Sequence, residues 1–201
     1  MQKLLVGLKN IHRANLKDGV YETPVPIKYA KKISNKLNFE STQEWADDTI
    51  VEDSANYAGG EGTITTLGLL ADEYNLLFGS ELMKGGVVVS ESDVAPSGAW
   101  LFEKQKKKSN HKRLYAIYNA TCQPIDINAE TIVEGKAEAE ETEINYTVGS
   151  YTHTNGKTYI YAFIDTDDPT VDAEQITNWY KEVQFPIART VIPPENKMLE
   201  K

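Results

Sequence analysis

The chain has 201 residues, 40% hydrophobic and 25% charged, which suits one domain with a sizeable core and excludes a disordered or low-complexity protein. A net charge of -9 argues against binding of phosphate backbones by a free subunit, and the single cysteine, Cys122, excludes an internal disulfide and a cysteine-based zinc site. The start, MQKLLVGLKNIH, turns polar too early for a signal-peptide core, and no apolar run approaches the ~20 residues of a membrane span. The expectation is therefore synthesis in the cytoplasm, with neither a signal peptide nor a membrane anchor.

Strand signals dominate in chain order. Leu4, Val6 and Leu8 alternate with Leu5, Gly7 and Lys9, predicting a strand to about Ile11. A second alternates through PIKYAKKISNKLNF, with Ile27, Tyr29, Lys31 and Ile33 on one side. Residues 38–62 are polar and acidic around the β-prone Thr49-Ile50-Val51, which predicts a long hairpin or extended loop spanning 35–60 and inserted in the domain. It returns through YAGGEGTITTL. This stretch lacks the Lys-Ser/Thr of a Walker loop and runs into β-branched residues rather than a helix, so its glycines are read as the turn from loop into sheet, not as a phosphate cradle.

Further on, Leu70, Tyr74, Leu77 and Phe78 fall at helical spacing, with Gly79 as C-cap. Strands are predicted in VVVSES, AWLFEKQ and RLYAIYNATC, the last two joined by the basic turn KKKSNHK. ETEINYTVGSYT and TYIYAFID predict another long hairpin around Asn155-Gly156. Asp172 and Gln175 fit a capping box, followed by a helix with Ile176, Trp179, Tyr180 and Val183 on one face. After Pro186 the residues 186–201 read as an extended arm. The fold class expected is mainly β: a β-sandwich or half-barrel in residues 1–185, with one or two short flanking helices, a long protruding hairpin loop and extended terminal arms.

No pattern points to catalysis, a metal or a cofactor. Asp165, Asp167 and Asp168 lack the glycine and terminal glutamate of a calcium loop and fit a helix entry at Pro169. His12, His111 and His153 share no ligand spacing, and Cys122 reads as a packing residue. The charges are blocky: acidic at Glu44, Asp47, Asp48, Glu52 and Asp53, acidic again from Glu130 to Glu143, and basic from Lys104 to Arg113. Each block is read as a solvated face or turn, with pairing between basic and acidic blocks of neighbouring subunits as the alternative.

VGLKNIHRANLKDGVYETPVPIKYAKKIS, then Trp45-Ala46-Asp47-Asp48, ITTLGL, the helix ending at Phe78-Gly79 and RLYAIYNATCQP together resemble the major tail proteins of long, non-contractile tailed bacteriophages. The resemblance covers most of residues 1–185 and rests on the order of elements. It implies a β-sandwich flanked by a helix, six copies in a ring, and rings stacked into the tube through which DNA leaves the capsid. It further implies a virion protein whose partners are copies of itself, the tape measure, tail terminator and baseplate or distal tail proteins, and passing DNA that it does not bind by sequence. Asn38, Phe39, Trp45 and Tyr57 become candidates for ring stacking, and a polar strand pair is explained if it lines an aqueous channel. Glu44, Asp47, Asp48, Glu52 and Asp53 are the candidates for an acidic lumen that repels DNA. Two other classes remain: an acidic carbohydrate-binding or adhesion module, which calls for an exposed platform from Trp45, Trp100 or Trp179, and a metal-dependent hydrolase, which lacks convergent ligands.

Overall fold

The alternating β-branched and aromatic residues form thirteen strands in the computed structural model, which describes residues 3–46, 48–127, 129 and 139–189, without the side chains of residues 44–46 and 51–53. In order they are β1 (Leu5–Lys17), β2 (Val20–Tyr21), β3 (Val25–Pro26), β4 (Ala30–Ala46), β5 (Thr49–Thr66), β6 (Glu81–Met83), β7 (Gly86–Val88), β8 (Ser97–Lys106), β9 (Lys112–Cys122), β10 (Thr142–Val148), β11 (Tyr151–Thr152), β12 (Thr158–Tyr159) and β13 (Tyr161–Asp165). Helix α1 (Ala71–Phe78) follows β5, and α2 (Ala173–Asn178) follows β13. The fold is mainly β, as the sequence predicts.

One nine-stranded antiparallel sheet runs β2-β1-β8-β9-β10-β5-β4, with β3 added on β1 and β13 on β9. It curls so that the chain entering β4 returns beside β1, where Ile27 N–H donates to the Ile11 carbonyl. The half-barrel encloses a first core of Ile11, Ile64, Trp100, Phe102, Ile117, Ile144 and Tyr146, with Leu77 and Phe78 of α1 packed into it. Its other face carries a second core, where Trp179 and Val183 cover Ala14, Ala99, Leu101, Leu114, Ala116 and Tyr118. Strands β8 and β9 serve both cores because their alternate residues point to opposite sides and both sides are covered.

The edge of β9 is shared. Its first half pairs with β13 through Arg113 to Ile117, and its last residues pair with β10. The break falls at Asn119, whose φ of 26° lies in a region that asparagine tolerates better than most residues, and whose side chain donates to the Ser150 carbonyl at 2.6 Å. This corrects the second predicted hairpin: Asn155-Gly156 does turn the chain, but joins only the two-residue strands β11 and β12, while β10 and β13 go to separate stretches of β9. VVVSES likewise shortens to β7, the partner of β6.

Other local expectations shift by a few residues. β1 runs on to Lys17, and its buried residues, Ile11, Arg13 and Ala14, lie at and beyond the predicted end, because bulges at Gly7 and Asn10 reset the alternation. The alternation expected from Ile27 to Ile33 breaks in the same way: Ile27 is buried, while Tyr29 takes a φ of 59° and is exposed. α1 ends at Gly79 as expected, with its N–H on the Asn75 carbonyl, but Leu70 caps the start and stays exposed. Asp172 does cap α2, accepting from Glu174 N–H at 2.9 Å, whereas Gln175 does not complete a capping box and donates instead to the Phe185 carbonyl. Within the arm only residues 186–189 are described, without regular structure.

Candidate functional site

The predicted long loop is the hairpin β4–β5, and the glycines of YAGGEG sit inside β5 rather than at a turn. Only Gly59 needs a left-handed φ, of 95°, where Ala58 and Gly59 together oppose Asn38 in a bulge. Gly62 is needed for space. A Cβ there would run into the Tyr146 ring and stand 2.5 Å from the Ser34 carbonyl oxygen. Tyr146 lies across the bare backbone of Gly62 and donates its hydroxyl to that same carbonyl at 2.9 Å, so one side chain spans from β10 to β4. Tyr57 makes a similar crossing: its hydroxyl lies over Gly60 and donates to the Val148 carbonyl at 2.7 Å. Gly60 and Gly62 are therefore tyrosine seats and Gly59 forms a bulge, which corrects the expected turn from loop to sheet.

These crossings fix the root of the hairpin to β10 and orient its two faces. Ile33, Ile64 and Ile144 form one cross-strand row toward the first core. The next row, Ser34, Thr63 and Asn145, faces away, with the Thr63 hydroxyl donating to the Asn145 side-chain oxygen at 2.9 Å. Lys36, Glu61 and Thr147 continue that face, and Lys36 pairs with Glu61 at 3.4 Å. Together with Gln123 these residues line a polar concavity of about 410 Å³.

Beyond Leu37 and Gly60 the hairpin pairs only with itself among the described residues. The eight residues 39–46, at ~3.4 Å each, carry this two-stranded ribbon about 27 Å past the sheet. Phe39, 59% exposed, meets Tyr57 edge to face at 5.7 Å across the strands. Of the stacking candidates, Asn38 stands at the bulge and Phe39 and Tyr57 pair at the ribbon's root, so the structure brings these three together. The Trp45 side chain lies outside the described residues, although its backbone pairs with Ile50. For the lumen candidates, the backbones of Glu44 and Glu52 are directly opposed and Asp53 opposes Gln43. Asp48 is exposed at the tip with φ 58°. Asp47 and the side chains of Glu44, Glu52 and Asp53 lie outside the described residues.

The basic block is not a simple solvated turn. Lys106 is fully buried, its ammonium 3.0 Å from Asp165 and paired also with Asp167, while Arg113 grips Asp165 through two bonds of 2.8 and 2.7 Å. Hydrogen bonding to Arg113, with Lys106 beside it, holds the Asp165 carboxyl below its usual range despite burial. Burial pulls the Lys106 ammonium down, and its bonds to Asp167 and Asp165 outweigh that and leave it raised. Lys112 pairs at 2.8 Å with buried Glu103, which also accepts from the Tyr180 hydroxyl. Asp165 and Asp167 thus anchor the β8–β9 turn, and Asp168 accepts from the Thr170 N–H and hydroxyl in a turn ahead of α2, so the helix entry expected at Pro169 lies instead at Asp172.

Sequence reasoning also missed Arg13, which is fully buried, stacks 5.1 Å from the Trp100 ring and donates to the carbonyls of Pro96 and Ala120. Burial lowers its pKa. His153 packs its ring 4.0 Å from Phe185 in a cluster with Tyr151 and Tyr159. No group of three or more histidine, cysteine or acidic side chains placed to hold a metal occurs among the described residues. Comparison with models of known protein families and with curated proteins gives no match.

Proposed function

We infer that this chain is the structural subunit of a long, non-contractile phage tail tube: six copies close a ring, rings stack, and DNA leaves through the channel. The supporting observation is the ribbon formed by residues 39–46 and 49–57. An isolated two-stranded hairpin is marginal in water, and this one carries exposed Phe39 and Ile50 past the body of the domain. A neighbouring ring gives it a surface to lie on. The polar face of β4, β5 and β10 suits a water-filled channel, but Lys32 and Lys36 balance Glu61 and Glu143 on it, so the acidic character of the lumen falls to Glu44, Asp47, Asp48, Glu52 and Asp53. In this reading the protein is made in the host cytoplasm and resides in the virion tail. It works without enzymatic activity or cofactor, beside the tape measure, terminator and baseplate or distal tail proteins. The carbohydrate-binding alternative gains nothing from Trp100 and Trp179, since both are buried.

The test is negative-stain microscopy of the purified protein and of a variant in which residues 38–59 are replaced by Asn-Gly. The wild type should form rings or tubes at high concentration. The shortened variant should melt cooperatively and stay dispersed. A wild type that remains monomeric, or tubes from the shortened variant, would overturn the reading.

A further inference from the structure

Strands β11 and β12 form a sheet of their own, two residues each and, among the described residues, separate from the nine-stranded sheet. A two-stranded hairpin this short is marginal in water, so it opens locally at little cost. Its inner side is nonetheless held: the rings of Tyr151, His153 and Tyr159 pack around Phe185, at 5.6, 4.0 and 5.9 Å. The turn itself faces water. Thr154, Asn155, Gly156 and Lys157 are exposed, and no other atom stands within 4 Å of where a Cβ on Gly156 would lie.

Asn155 is the only asparagine in the chain that is followed by glycine. The neighbour matters chemically, because glycine leaves the main-chain nitrogen after the asparagine unshielded. Once that Gly156 nitrogen has lost its proton to solvent base, it can bond to the side-chain carbonyl carbon of Asn155. The bond from that carbon to Nδ2 then breaks, ammonia leaves, and a five-membered succinimide remains. Water opens the ring. Attack at the side-chain carbonyl gives aspartate, and attack at the main-chain carbonyl gives isoaspartate.

The closed turn sets three bonds against this reaction: Gly156 N–H donates to the His153 carbonyl at 2.9 Å, Lys157 N–H to Asn155 Oδ1 at 2.9 Å, and Asn155 Nδ2 to the Tyr159 hydroxyl at 3.1 Å. The Gly156 nitrogen must leave His153 to become a nucleophile, and the side chain must leave Lys157 and Tyr159 to meet it. Only the opened turn reacts.

We propose that Asn155 is the site at which this chain deamidates, and that the Tyr159 hydroxyl, a positioning group, acts as the brake by engaging the side-chain amide. Each event places a new negative charge beside Lys157, and the isoaspartate form also adds a main-chain carbon to the turn. The change falls on the hairpin whose rings seat Phe185, just ahead of Pro186 and the arm. A protein built once and not replaced would carry it as a record of age. The inference is independent of the tail-tube reading.

The test is incubation of the purified full chain in mildly alkaline buffer, followed by intact-mass measurement and peptide mapping. Wild type should gain about 1 Da per event as NH is exchanged for O, localised to residue 155 and accompanied by a separately eluting isoaspartyl peptide. Asn155→Asp should show no gain at that position. Tyr159→Phe keeps the ring and loses only the hydroxyl, so it should react roughly two- to tenfold faster, the shift expected when one hydrogen bond no longer favours the closed turn. Wild type unfolded in urea, where no turn is closed, should react faster than folded wild type. A wild type that gains no mass at residue 155, or deamidates first at another asparagine, overturns the site. A Tyr159→Phe rate no higher than wild type, or equal rates for folded and unfolded wild type, overturns the brake.

Discussion

Gly62→Ala is the sharpest test of how the long hairpin is held to the sheet. Gly62 does not use a left-handed φ, so alanine is conformationally acceptable there, and in a strand it gains about 0.5–1 kcal/mol over glycine. Against that, its methyl collides with the Tyr146 phenol and with the Ser34 carbonyl oxygen at 2.5 Å. Overpacking of this kind costs about 1–3 kcal/mol, and expelling Tyr146 from its 2.9 Å bond to Ser34 costs about 1 more. The net loss should be about 1–3 kcal/mol, or roughly 2–12 °C in Tm for a chain of this size. Urea titration of the wild type, Gly62→Ala, Tyr146→Ala and the double variant completes the cycle. Removing the phenol relieves one of the two clashes, so Gly62→Ala should cost at least about 1 kcal/mol less in the Tyr146→Ala background than in the wild type. Additivity within about 0.5 kcal/mol would refute the idea that tyrosine and glycine are matched.

Lys106→Met should destabilise by about 3–5 kcal/mol in chemical denaturation, toward the lower end because Arg113 still serves Asp165; a loss below about 1 kcal/mol would contradict the buried cluster. Asp165 has a depressed folded pKa, so its contribution is complete above the unfolded value of ~3.9 and is lost as pH falls through the lower folded value. Stability of the wild type should therefore drop steeply below about pH 4, and Asp165→Asn, weaker at neutral pH, should show a shallower acid limb in pH-dependent melting. Changing Asp47, Asp48 and Glu52 together to lysine should permit tube assembly while making DNA ejection slow and salt-dependent; ejection at the wild-type rate in low salt would take this block off the channel.

The sequence makes the mainly β class and the β8–β9 hairpin legible, because Leu114, Ala116 and Tyr118 alternate with Tyr115 and Ile117 and each set finds its own core. Local patterns also place α1 and the covering role of Trp179. They miss what depends on distant partners. Nothing near Gly62 announces a tyrosine from residue 146, and nothing near Lys106 announces aspartates some sixty residues later, so a buried lysine reads like its solvated neighbours. The divided edge of β9 is hidden for the same reason: the turn at Asn155-Gly156 is visible, but which strands lie beside which is decided by Asn119 and by competition for β9.

The pairing of β5 with β10 has a consequence during synthesis. Ile144, the partner of Ile64, emerges from the ribosome on the order of 80 residues later, a delay of roughly 4–16 s at ~5–20 residues per second. Throughout that interval β4 and β5 must hold each other with one face uncovered and Tyr146 not yet made. Lys31, Lys32, Lys36, Glu40 and Glu61 then act as guards, since charged side chains discourage nascent chains from pairing through an open strand.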